Sequence, residues 1–166
     1  MPTHFAPMPE VLYTLGYEKR SIEEFVALAR SSGVDVLVDV RETAWSHKPG
    51  FSKNAFAAAL AVAGIDYIHA PFAGNPKWLR ENADTHAECL EWYSWYLDEF
   101  DEVLDAFEAL MSRVMSKDRC AALTCFERHA GDCHRGILAE RWAARDEHRR
   151  TIKHLATDGC ARLVPT

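Results

Sequence analysis

Cys125, Glu127, Cys133, His134 and Arg135 fall within the eleven residues CFERHAGDCHR, directly after an apolar run and directly before a helical one. These residue types are the working set of acid–base and nucleophilic chemistry. Glu127, if burial raises its pKa, serves as a general base or orients a substrate hydroxyl or amine; its structural alternative is to hold Arg41 or Arg135 rigid. His134 exchanges a proton or donates to an anion, or else caps a helix start. Cys133, beside His134 and Arg135 near a helix N-terminus, reads as a nucleophile with a depressed pKa or as a residue that shapes the loop. Cys125 closes an apolar strand, as a small buried hydrophobe would.

Cys125, Cys133 and His134 are all zinc-type ligands. Adjacent Cys133 and His134 do not easily converge on one ion, and no cysteine pair has the two-residue spacing of a structural site, so no metal centre is expected. The following helix is expected to begin near Gly136, which sets His134 and Arg135 at its positive end, where unpaired backbone N–H groups favour an anion. Arg41, emerging from another apolar strand, adds a planar fork. Arg41 and Arg135 thus read as a clamp on a phosphate or carboxylate, with Glu127 and His134 managing the proton. The competing reading is internal ion pairing: Arg41 with Glu42 or Glu127, and Arg135 with Glu127.

Several elements must position these residues. EVLYTLG is a strand, turned by Gly16 and Tyr17. In SIEEFVALARSSG, Ser21 and Glu24 stand at capping-box spacing, and Gly33 ends the helix. Val34 to Val40 is a nearly continuous β-branched run, buried on both faces as in a covered parallel sheet. Ser52 is placed to cap KNAFAAALAVAG, with Phe51 and Phe56 as a hydrophobic staple. IDYIHA is the third strand, and Pro71 to about Thr85 an open loop. Residues 86–114 read as one long helix whose stripe of Leu90, Tyr93, Leu97, Phe100, Leu104, Phe107 and Met111 belongs to a core. CAALTC is the fourth strand, GILAERWAARDEH a helix, TIKHL a short strand and ARLVP an indefinite end. Alternating strands and helices give an α/β fold class: a three-layer domain with a mostly parallel central sheet of about five strands flanked by helices, spanning 1–166 as a single domain.

In such a sheet the loops after the strands gather at one edge, where ligands bind. That rule brings Tyr17, Trp45, His69 and Trp78 to Arg41, Glu127 and Arg135. Trp45 and Trp78 either stack on a planar ring or pack as lid residues. With Lys48, Lys77 and Arg80 nearby, a small anionic or nucleotide-like ligand is the expected partner.

Charge and length narrow the classes. The 166 residues carry 25 acidic and 19 basic side chains, a net charge of -6 that disfavours non-specific nucleic-acid binding. The five cysteines are odd in number, and the N-terminus lacks a charged segment followed by a long apolar run, so a reducing cytoplasm is expected. No apolar stretch approaches the roughly 20 residues of a membrane span. LGYEKRS lacks the glycines of a dinucleotide fingerprint and no lysine-ended phosphate loop occurs, so no cofactor is expected.

The chain resembles the family catalogued as domain of unknown function 488. The resemblance runs through YTLGYEKRSIEEFVALARSSGVDVLVDVRETAWSHKPGFSKNAFAAALAVAGIDYIHAPFAGNP, CLEWYSWYLDEF and ALTCFERHAGDCHRGILAERW. It implies that Arg41 is the family's strand-end arginine, Tyr67 and His69 its third-strand positions, and Cys125, Glu127, Cys133, His134 and Arg135 its cysteine–acid, cysteine–histidine–arginine signature. Phe126 stands where members commonly have a small residue. A fainter similarity is to rhodanese-like domains, in which a strand ending like Asp39-Val40-Arg41 lies near a cysteine loop. Arg135 comes ten residues after Cys125, so no catalytic cysteine is carried across. The expected function is hydrolysis or group transfer on a nucleotide-like or other anionic substrate; the alternative is a non-catalytic nucleotide or nucleic-acid binding module.

Overall fold

A computed structural model describes residues 10–155. Five strands form one sheet: β1 (Glu10–Gly16), β2 (Val36–Asp39), β3 (Asp66–His69), β4 (Ala121–Cys125) and β5 (Arg150–His154). Their order is β3-β2-β4-β1-β5, and every pairing is parallel. Parallel strands end on the same side, so Gly16, Asp39, His69 and Cys125 all lie along one edge. β4 lies between β1 and β2, which brings the loop after Cys125 beside the ends of both neighbours.

Helices cover both faces, as the fully buried β2 requires. α1 (Ile22–Ser31) and α2 (Lys53–Val62) enclose a core of Leu15, Phe25, Leu37, Phe51, Phe56 and Leu60. On the other face α4 (His86–Glu99), α5 (Asp101–Val114) and α6 (His134–Ala144) enclose Val36, Val38, Tyr93, Phe107, Leu123 and Trp142. Between β3 and α4 lie a short 3-10 turn, Pro71–Ala73, and α3 (Lys77–Asn82), where the sequence suggests only loop.

Local chemistry explains most boundaries. Ser21 and Glu24 make the reciprocal capping box at α1. The rings of Phe51 and Phe56 meet edge-on at 5.2 Å. Ser52 is the N-cap residue of α2, but its hydroxyl bonds Ser46 instead of a helix N–H, so it fastens the 41–52 loop. The expected single helix over 86–114 is two helices. It breaks at Phe100, whose non-helical backbone leaves Asp101 and Glu102 in the first turn of α5, where acidic side chains favour the helix dipole. Tyr93, Leu97, Phe107 and Met111 of the apolar stripe are in the core on both sides of the break, and Phe100 and Leu104 pack against it. TIKHL lies in β5; ARLVP falls outside the described residues. Among the described residues no helix is long and apolar enough to cross a membrane.

Candidate active site

A cleft of about 230 Å³ opens at the C-terminal strand edge, between the ends of β2 and β4 and the start of α4. Arg41, Glu42, Asn75, Arg80, Glu127 and His134 border it, together with Cys125, Phe126 and, from α4, His86, Cys89 and Leu90. Of the sequence-predicted residues, Arg41, Glu127 and His134 reach the cleft. Tyr17, Trp45, His69, Trp78, Cys133 and Arg135 are not among its walls.

Arg41 is held from below. Asp39 and Arg41 lie two residues apart at the strand end, and the Asp39 carboxylate accepts from Arg41 N, Nε and Nη2. Arg41 Nη1 donates to Tyr17 Oη at 3.1 Å, while Tyr67 Oη donates to Asp39 at 2.5 Å. The expected ion pairs of Arg41 with Glu42 or Glu127 are thus replaced by one with Asp39 at 2.6 Å. Burial opposes the guanidinium charge, but the bonds and charge of Asp39, with a contribution from Tyr17, raise its pKa above the usual value. For Tyr67, burial and then the Asp39 charge raise the phenol. Tyr17 is itself stacked on Phe51 at 4.4 Å and serves as a wall behind Arg41. His69 Nε2 donates to Arg41 O at 2.7 Å, fixing the backbone at the strand end. Arg41 is therefore fixed in place, its charge paired with Asp39 and each of its guanidinium nitrogens already donating once.

Arg135 does not meet Arg41 in a clamp. Its side chain turns inward, 1% exposed, and donates through Nη1 to Glu127 O at 2.5 Å and through Nη2 to Arg128 O at 3.3 Å. Nη1 also lies 3.4 Å from Cys125 Sγ. Burial lowers its pKa to about 10, with the Glu127 charge opposing. No carboxylate oxygen lies within ion-pair distance among the described residues, so the expected Glu127–Arg135 pair is absent too. The guanidinium instead satisfies carbonyls of the 125–135 loop that its own residues leave unpaired.

α6 begins at His134 instead of near Gly136, with Cys133 as its N-cap. Cys133 Sγ accepts from Arg135 N at 3.5 Å, and Cys133 O accepts from Gly136 N at 3.1 Å. These amides are capped from within and are not turned to an anion. His134 Nε2 donates to Val40 O at 2.8 Å, since a carbonyl can only accept. That bond fixes the tautomer and leaves Nδ1 as the acceptor, 3.8 Å from Cys133 Sγ. Burial pushes the imidazole down to about 4; the Val40 bond opposes this and the charge of Arg135 adds to it. His134 is therefore neutral and anchored, not a free proton carrier.

The sulfurs of Cys125 and Cys133 are joined as a disulfide, a pairing absent from the sequence reading. In that state Cys133 has no thiolate to attack with. Glu127 Oε2 stands 3.4 Å from Cys125 Sγ at the cleft wall. Contrary to the expectation that neighbouring Cys133 and His134 diverge, their ligand atoms and that of Cys125 all lie within 4.8 Å of one another.

Trp45 and Trp78 are 59% and 50% exposed. Each makes one edge-on ring contact, with His47 and Tyr96 respectively, and they stand outside the cleft. The strand-end rule misses His86, Cys89 and Leu90 because they come from a helix start that folds over the edge. Arg80, a loop cation in the sequence reading, lies in α3 and is the more exposed arginine at the cleft, its Nε held by Asn75 O and its Nη2 3.4 Å from Glu42. Asn75 is 7% exposed; its Nδ2 points to Cys89 Sγ, and its Oδ1 has no partner among the described residues.

A parallel five-stranded α/β sheet with a cleft bordered by charged residues at its C-terminal edge defines the structural class. The chain belongs to the family described as domain of unknown function DUF488, whose model matches residues 21–142. No curated protein matches it. Two crystal structures of a "Putative phosphatase (DUF442)" from Shewanella putrefaciens CN-32, at 1.60 and 1.40 Å, each resemble it with a TM-score of 0.49 and 17% identity. The overlaps cover 87% and 88% of this chain and 68% and 72% of theirs. At that level the likeness says nothing of this chain's activity.

Proposed function

We propose that this chain is a small enzyme that hydrolyses or transfers a group on a small anionic, nucleotide-like substrate bound at the strand C-terminal edge. The observation that carries this reading is the cleft in which Arg41, Arg80 and Glu127 face one volume. Arg41, its charge balanced by Asp39, is a fixed guanidinium in the wall, and Arg80 is the arm that reaches an anion, because its pairing with Glu42 is long and half-exposed. Asn75, largely buried beside the cleft, holds Cys89 of α4 through its Nδ2 and so fixes that wall. Glu127 is the carboxylate placed to accept a substrate proton, with His134 anchoring the wall behind it. A volume near 230 Å³ falls below the 300–1,000 Å³ of drug-sized sites, so it fits the reacting anionic group and leaves any attached ring outside. The exposed faces of Trp45 and Trp78 give such a ring a place to stack.

The test is a turnover screen of phosphorylated nucleosides and simple phosphate and carboxylate esters, with wild type and Glu127→Gln. Turnover that is lost in Glu127→Gln while ligand-induced thermal stabilisation persists supports the enzyme. Binding without turnover in either protein selects a non-catalytic binding module. Neither binding nor turnover across the panel overturns the anionic-ligand reading.

A further inference from the structure

Beneath the cleft, Cys125 and Cys133 stand among a buried cation, a helix N-terminus and an imidazole, with the Glu127 carboxylate, 3.4 Å from Cys125 Sγ, opposing negative charge there. Arg135 is a buried cation whose partners are two carbonyls and Cys125 Sγ, with no carboxylate in ion-pair reach among the described residues. Cys133 Sγ accepts the Arg135 backbone N–H at the positive end of α6. His134 Nδ1 keeps its lone pair towards the sulfurs because Nε2–H is held by Val40 O. Each of the three groups therefore has a second interaction that orients it and sets its charge state, as ligands of a metal commonly do.

We infer that Cys125, Cys133 and His134 form a thiolate–imidazole site for a zinc-class divalent metal when the disulfide is reduced. The three ligand atoms lie within 4.8 Å of one another, and the two sulfurs, bonded in the oxidised form, have to separate on reduction to reach ligand spacing. With Zn–S near 2.3 Å and Zn–N near 2.0–2.1 Å, tetrahedral S and N ligands sit roughly 3.6 Å apart. Cys133 Sγ and His134 Nδ1 are 3.8 Å apart. The donor set, two soft thiolates and an imidazole, selects zinc over magnesium or calcium. Cys125 and His134 both border the cleft, so the fourth position opens towards it, on the side of Glu127. Three protein ligands and one open position are the arrangement of a catalytic zinc.

The balance is simple. A phosphine and one water break the Cys125–Cys133 S–S bond; the phosphine becomes its oxide and two cysteine thiols form. The metal ion then displaces two protons as two S–metal bonds form. Binding is read without substrate, so it stands or falls separately from the proposed activity.

The experiment uses the full chain, reduced with a phosphine, stripped with a chelator and titrated with cobalt(II) under argon. One equivalent is expected to bind with a thiolate-to-cobalt charge-transfer band and intense tetrahedral visible bands, and zinc is expected to displace it. Cys133→Ser and His134→Gln each weaken binding by at least about tenfold, whereas Cys120→Ser, at a free cysteine of β4's opposite end, leaves it unchanged. If the variants fail to fold, alkylation decides: zinc should shield Cys125 and Cys133 of the reduced wild type from iodoacetamide, as mapped on peptides. A reduced wild type with no charge-transfer band, or with both cysteines alkylated equally with and without zinc, overturns the inference.

Discussion

Replacing Arg135 with Met separates a loop pin from an anion clamp. Methionine keeps most of the stem's volume, so little cavity is opened and the effect reports the guanidinium. Two hydrogen bonds to Glu127 O and Arg128 O are lost, one short and one at 3.3 Å. Bonds from a charged donor contribute about 1.5–3 kcal/mol each, the longer one at the low end, for about 3–5 kcal/mol together. Removing a buried charge offsets part of this, because Arg135 Nε has no partner among the described residues and its desolvation cost disappears. The net loss should be about 2–4 kcal/mol. With a urea slope of about 2 kcal/mol per molar, the unfolding midpoint falls by roughly 1–2 M. Arg135→Lys should recover only part of this, since an ammonium cannot span both carbonyls as the planar fork does. Equilibrium urea unfolding followed by tryptophan fluorescence measures it. A midpoint within about 0.3 M of wild type, together with lost affinity for inorganic phosphate, would refute the pin and restore the clamp.

The same loop makes Gly16→Ala costly: a Cβ there would lie 1.8 Å from Glu127 O, so backbone must move, and a loss of at least about 1–3 kcal/mol is expected in urea unfolding. Gly131→Ala, where a Cβ meets nothing within 4 Å, is the neutral comparison. Asp39→Asn removes the charge that balances Arg41 and should destabilise by about 3–5 kcal/mol, detectable as a lower melting temperature. His154 has its pKa lowered, by burial and then by the charge of Arg135, below the unfolded value of about 6.5. The unfolded chain therefore binds the proton more readily: the stabilising contribution is complete above about pH 6.5 and is lost as pH falls towards the folded pKa. Melting temperature against pH should drop more steeply in wild type than in His154→Gln over that acid limb.

The layers were legible because β-branched runs and 3.6-residue stripes alternate without ambiguity. The continuous run from Val34 to Val40 marks a covered strand, and CAALTC, short and apolar between two helical stretches, reads as another; they hold β2 and β4. The break at Phe100 was not legible, since the apolar stripe runs on in phase and only the backbone departs from helix. Asp39 as the partner of Arg41 had a signal: residues two apart on a strand share a face. Glu42 and Glu127 compete for that role in the sequence because they lie in the loops. The inward turn of Arg135 had none, because it depends on loop carbonyls whose direction is set only when residues 125–135 close over Gly16. The α4 contribution to the cleft was hidden for a similar reason, as a rule about strand ends does not reach a helix start.

If the cleft at the strand edge takes an anion, Arg80 is the side chain that holds it, beside the fixed guanidinium of Arg41. A crystal structure of the chain soaked with a nucleoside monophosphate tests it most directly. The account predicts phosphate density within hydrogen-bond distance of the Arg80 guanidinium, facing Glu127, and its loss in Arg80→Ala crystals. Phosphate density elsewhere, or unchanged density in Arg80→Ala, would contradict it.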